Sequence, residues 1–254
     1  MYNQSMTDPQ RIIYQTEADR YEALIAREDH QGNILRTLER IVPDLARRLV
    51  LDLGAGTGRL TRLLAPRVRF VRAFDESAGM LRVCRDRLAE TGLANWSADV
   101  ADHRHLPVED ASAELAVSGW SVSYLAVWGA DTSTSLREAP PRGSASGREK
   151  LSDWLGEMKR VLTANSPIVL FETLGTGHES PVRVPHLANF YPWLDENGFE
   201  NTSIRTDYKF ESLAEAERLA RFFFGDEIGD NVLKNNWVIL PECTGVWWKT
   251  INYE

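Results

Sequence analysis

The sequence predicts an α/β protein: a mostly parallel sheet with helices on both faces. Three observations point there. Short apolar runs alternate with segments of helical period from residue 48 to residue 175. The apolar runs are continuous rather than alternating, as expected of strands covered on both faces. The 254 residues, 43% hydrophobic and 26% charged, suffice for one large core without division.

Arg48-Leu49-Val50-Leu51-Asp52-Leu53 reads as a buried strand running into a glycine turn, after which Leu60, Leu63 and Leu64 take helical spacing. Val68 to Asp75 is a second strand. Ala78 to Thr91 is a helix with Met80, Leu81, Cys84 and Leu88 on one stripe. Asn95 to Asp99 and Leu115 to Ser118 are short strands. Lys150 to Leu162 is a helix carrying Leu151, Trp154, Leu155, Met158 and Leu162, and Ile168 to Phe171 is a fifth strand. Thereafter Pro185 to Asn197 reads as a helix, Thr202 to Phe210 as extended, Leu213 to Phe224 as a helix and Gly245 to Ile251 as a last strand. Residues 130–147, rich in Ser, Thr, Pro and Gly, read as a mobile loop or a tolerated insertion, placed where a lid would sit.

The formal charge of −8 opposes nucleic acid as a partner. Arginines between Arg59 and Arg87 are expected on solvated helix faces. Two distant cysteines form no disulfide framework or metal-ligand pair, and no metal site is expected. With no signal-peptide core and no apolar run near the ~20 residues of a membrane span, a cytoplasmic protein is expected.

The sharpest motif is Asp52-Leu53-Gly54-Ala55-Gly56-Thr57-Gly58, between a strand and a helix. Glycine lets a ligand lie against the backbone, and free N–H groups at a helix start attract an anion. Dinucleotide enzymes use Gly-x-Gly-x-x-Gly; the spacing here is Gly-x-Gly-x-Gly, which disfavours a nicotinamide dehydrogenase. Asp75 ends the second strand 21 residues after Gly54, and Glu76-Ser77-Ala78-Gly79-Met80-Leu81 turns into a helix with Ser77 as N-cap. Ser97-Ala98-Asp99-Val100 closes the third strand, and Leu106-Pro107 and Ser118-Gly119-Trp120 follow in order.

Together these segments resemble class I, Rossmann-like S-adenosylmethionine-dependent methyltransferases. Tyr14 to Glu22 resembles the helix before the glycine motif in the ubiquinone/menaquinone-biosynthesis-like group. The resemblance covers roughly residues 12 to 175. It implies a seven-stranded sheet with an antiparallel last strand and an N-terminal helical cap (residues 1–45), a cofactor core (46–175) and a C-terminal part carrying the substrate cap (176–254). It implies S-adenosylmethionine as methyl donor, with the loop residues Asp52, Gly54, Ala55, Gly56 and Gly58 at its methionine end beside Tyr14 and Tyr21. Asp75 would take the ribose, and Met80, Asp99 and Val100 the adenine; Glu76 and Ser118 are further expected cofactor contacts. The family's glycines before strand five are replaced by Thr163-Ala164-Asn165-Ser166, where Asn165 is expected to supply the left-handed turn.

Methyl transfer asks the protein to position a nucleophile, exclude water and, where needed, take a proton. Candidates follow the fourth and fifth strands, because ligands bind at the carboxyl ends of such sheets. His178 and Tyr124 are the candidate catalytic groups; His30, Trp120 and Glu172 are candidate substrate contacts. Tyr208, Phe222-Phe223-Phe224 and Trp237 offer apolar area for an acceptor pocket. His103 and His105 read as surface residues. The expected acceptor is a small molecule and the expected state a monomer or homodimer; a cofactor-binding protein without transfer activity is the alternative.

Overall fold

The computed structural model describes residues 9–127 and 145–252. Helices α1 (Pro9–Thr16), α2 (Ala18–Ile25) and α3 (Asn33–Ile41) precede strand β1 (Leu49–Leu53). The alternation that follows is α4 (Arg59–Leu64), β2 (Phe70–Asp75), α5 (Ala78–Ala89), β3 (Trp96–Val100), β4 (Leu115–Gly119), α6 (Ser123–Val127), α7 (Ala145–Val161) and β5 (Ser166–Thr176). The remainder holds α8 (Phe190–Glu196), β6 (Glu200–Arg205), β7 (Tyr208–Lys209), α9 (Leu213–Phe224), α10 (Asp226–Asn235), β8 (Ile239–Leu240) and β9 (Glu242–Ile251).

Seven strands form one sheet in the order β3-β2-β1-β4-β5-β9-β6, with β9 antiparallel to both neighbours and the first five parallel. The central strands bury side chains on both faces. Leu51, Leu53 and Ala116 join α7 and α8 in one core, while Val50, Leu115 and Val117 join α3, α4 and α5 in the other. Strand β6, a polar Glu-Asn-Thr-Ser run, is an exposed edge. Before β5, Asn165 takes the left-handed conformation (φ +63°).

The periodicity misplaces some boundaries. The helix expected over 185–197 is a short 3-10 turn at Pro185–Leu187 followed by α8, and the extended run from Thr202 breaks into β6 and β7. The N-terminal segment is two helices, α1 and α2, rather than one. Helix α10 has no counterpart in the sequence reading; it packs beside α9, with Val232 buried against Leu219, Leu24 and Tyr208. The stretch read as a mobile loop lies outside the described residues up to 144, and its last residues open α7. Among the described residues, no helix is long and apolar enough to cross a membrane.

The N-terminal helices lie over the carboxyl ends of the sheet. Tyr14 O accepts from Ser77 Oγ at 2.8 Å, Glu22 pairs with Arg62 of α4 at 2.9 Å, and Glu28 pairs with Arg59. Met80 and Val83 of α5 form a small core with Ile13, Ala18, Tyr21 and Ile25 of this cap.

Candidate functional site

The glycine loop crosses from β1 to α4 with Gly54, Gly56 and Gly58 at φ +68°, +55° and +87°. Their surroundings differ. A side chain on Gly54 would overlap Ser121 Oγ, one on Gly58 would meet Cys84 Sγ at 2.6 Å, and Gly56 faces open space. Gly54 and Gly56 therefore border the cleft, whereas Gly58 lets α4 approach α5.

Four of the loop's amides are already engaged within the protein, contrary to the expectation that they are free for an anion. Gly54 N and Ala55 N donate to Phe74 O at 2.8 and 3.0 Å, Gly56 N donates to Asp75 Oδ2 at 2.9 Å, and Gly58 N donates to Ala55 O at 2.8 Å. Asp75 also accepts from Ser77 N at 2.8 Å through Oδ1. One carboxylate thus locks the loop to the end of β2 while facing the cleft. Burial raises its pKa against those two hydrogen bonds.

A cleft of about 440 Å³ opens here, bordered by Tyr14, Tyr21, Gly54, Gly56, Asp75, Glu76, Met80, Trp120 and Tyr124. These are sequence-predicted residues that the fold brings together. It separates the others. Asp52 is buried behind the loop, accepting from Thr61 Oγ1 at 2.5 Å, and burial pushes its carboxyl up to about 7. Ala55 borders a small recess beneath the loop rather than the cleft. Ser118 is buried and donates to Leu53 O at 2.8 Å, tying β4 to β1. Asp99 and Val100 are exposed on the edge strand β3, with Val100 at 55%. His30 is exposed, its N–H donating to Asp207 O at 3.4 Å, and His178 is exposed on the turn after β5; neither borders the cleft.

Residues missed in the sequence take the vacated places. Asp102 and His103, just past β3, line the cleft where Asp99 and Val100 were expected. The overlooked signal was the strand end itself: ligands meet loops beyond the carboxyl ends, and β3 ends at Val100. His103 is buried rather than at the surface; desolvation lowers its pKa to about 4, and its Nδ1 has no hydrogen-bond partner among the described residues. Arg59 is likewise not a solvated helix residue. Its side chain is only 14% exposed; it pairs with Glu28, borders the recess beneath the loop and stacks 3.6 Å from the Trp120 ring centroid.

Trp120 itself sits at φ +52°, held by its N–H donating to Phe171 O at 2.7 Å. A bulky residue in this region costs energy and marks a position the surroundings impose. Tyr14 and Tyr124 bring their hydroxyls to 3.0 Å, and Tyr124 donates to Gln10 Oε1 at 3.1 Å. Glu172, 5% exposed, accepts from Thr173 N at 2.8 Å and hydrogen-bonds Ser123; burial pushes it up to about 7.

Residues 50–140 match the methyltransferase domain family. The matched residues include the glycine loop and Asp75. Over 131 residues the chain is 36% identical to malonyl-[acyl-carrier protein] O-methyltransferase of Halorhodospira halophila, covering 50% of this chain and 42% of that protein. Over 84 residues it is 33% identical to phosphoethanolamine N-methyltransferase 1 of Caenorhabditis elegans, covering 33% and 17%. The chain thus spans less than half the length of the curated relatives it matches. Its fold is shared with a Haemonchus contortus phosphoethanolamine N-methyltransferase 2 solved with phosphomonomethylethanolamine and S-adenosylhomocysteine (TM-score 0.59, 14% identity, 98% of this chain and 61% of that one). It is shared too with the [4+2]-cyclase SpnF (TM-score 0.52, 15% identity, 87% and 82%).

Proposed function

We propose that this chain transfers a methyl group from S-adenosylmethionine to a small-molecule acceptor. The observation that carries the reading is the junction of Gly54, Gly56 and Asp75: a side-chain-free wall locked to a carboxylate at the end of β2. Residues and ligand fit chemically. Asp75 offers carboxylate oxygen to the ribose hydroxyls, Met80 an apolar surface to the adenine, and His103 an unpartnered ring nitrogen to a polar edge. Tyr14 and Tyr21 border the cleft from the cap, suited to the methionine end. The sulfonium supplies an already activated methyl, so the chain's task is to orient the acceptor and exclude water. Helices α1 and α2 serve the second purpose by lying across the carboxyl ends of the strands.

The same fold in a [4+2]-cyclase supports a second reading, in which the chain binds the cofactor without transferring its methyl group. Incubation with metabolite extracts and a radiolabelled methyl donor separates the two. Label incorporated into a small molecule supports transfer; tight donor binding with no incorporation across extracts supports the second. The relatives' names span O- and N-methylation, so the acceptor has to be read from this chain's own residues.

A further inference from the structure

Thr173 joins two buried carboxylates that the donor site does not use. Its N–H donates to Glu172 Oε1 and its hydroxyl to Glu242 Oε1, both at 2.8 Å. Glu172 and Glu242 are 5% and 2% exposed, and Glu242 Oε2 has no hydrogen-bond partner among the described residues. A buried carboxylate oxygen without a partner is costly, and its persistence points to a group still to arrive.

The pair lies behind the cleft wall rather than on it, next to residues that do border the cleft. Glu172 directly follows Phe171, whose carbonyl holds Trp120, and it hydrogen-bonds Ser123, the residue before Tyr124. Tyr14 is near enough to feel its charge. Arg59, whose charge is felt at both carboxylates, is already paired with Glu28 and stacked on Trp120. Its one positive charge faces three buried carboxylates, Glu28, Glu172 and Glu242. Beside them, Tyr14, Tyr21, Trp120 and Tyr124 line the cleft with aromatic faces that attract cations.

We propose that Glu172 and Glu242, with the aromatic wall of Tyr14, Trp120 and Tyr124, form the acceptor-recognition site and that its ligand is a small organic ammonium. This rests on the methyl-transfer reading and names its substrate class. An anionic acceptor would add a further negative charge to a low-dielectric site already short of cations. Burial pushes Glu172 and Glu242 up to about 7 each, so a bound cation favours their ionised forms.

The test uses the full chain saturated with S-adenosylhomocysteine and ligand-observed NMR with tetramethylammonium, its neutral counterpart tert-butanol, and acetate. The expected result is saturable tetramethylammonium binding at least tenfold tighter than tert-butanol, with no acetate binding. Glu172→Gln should weaken the ammonium at least tenfold while S-adenosylhomocysteine still binds. Acetate binding, tert-butanol binding within tenfold of the ammonium, or unchanged ammonium affinity in Glu172→Gln overturns the proposal. Should that variant not fold, the wild-type pH profile decides. Facing the pair are Arg59 from α4, Tyr14 from α1, Tyr191 from α8 and Tyr208 from β7. Burial raises the three tyrosines, so they stay protonated from pH 6 to 8. Ammonium affinity should then rise severalfold across that range; a flat profile overturns the proposal. Loss of S-adenosylhomocysteine binding alone strikes the donor reading, because the ammonium titration can be repeated on the ligand-free protein.

Discussion

The two sides of the cleft are held in different ways. The donor side comes mainly from one stretch, Gly54 to Met80, joined by Tyr14, Tyr21 and His103, and is fixed by hydrogen bonds from the loop amides to Phe74 and Asp75. The proposed acceptor side sets Tyr14 and Trp120 on the cleft with Arg59, Glu172 and Glu242 behind them, from five separate segments, and buried charge holds it. A backbone-defined wall needs particular residues at particular spacings. A charge-defined wall needs balanced carboxylates and cations, which any segment can supply.

Substitutions break each side differently. The largest effect is expected on the charge-held side: Arg59→Ala leaves Glu28 buried without its cation and should cost roughly 3–5 kcal/mol, read as a lowered Tm. On the donor side, Gly54→Ala places a side chain against Ser121 at a positive φ. Roughly a hundredfold loss of S-adenosylhomocysteine affinity, about 2.7 kcal/mol, should follow with the far-ultraviolet spectrum retained. Asp75→Ala removes both a ligand acceptor and the loop's anchor; a loss of about 1.5–3 kcal/mol in donor affinity is expected, and unchanged affinity would refute the ribose assignment.

Stability should also respond to pH. Asp52, Glu172 and Glu242 are raised to about 7 in the folded chain, above their ordinary range. The native state therefore holds protons that the unfolded chain releases, and stability falls as pH rises through about 7. His103, lowered to about 4, works oppositely between that pH and its ordinary 6.5, so the clean interval is pH 6.5 to 8.5. Tm should drop there, and less so in Asp52→Asn. The smallest effect is His178→Ala: the exposed imidazole lies away from the cleft, and turnover within twofold of wild type is expected.

This contrast explains what was legible in the sequence. Continuous apolar runs gave the parallel sheet because strands covered on both faces cannot alternate. The glycine spacing and Asp75 were legible because backbone geometry demands them locally. Asp99 was read for Asp102 because apolar pattern marks a strand's body better than its end. Arg59 looked like one more surface arginine, since nothing nearby in sequence announces Glu28 or Trp120. Glu242 had no local signal: its partner Thr173 lies 69 residues away. Helix α10 was missed because its core partners, Leu24 and Tyr208, come from other segments.

The most direct test of the methyl-donor assignment is a calorimetric titration of the full chain with S-adenosylmethionine, S-adenosylhomocysteine and NADH. Saturable one-to-one binding of the first two, abolished in Gly54→Ala, with no heat from NADH, is the predicted result. Binding of NADH alone would contradict it.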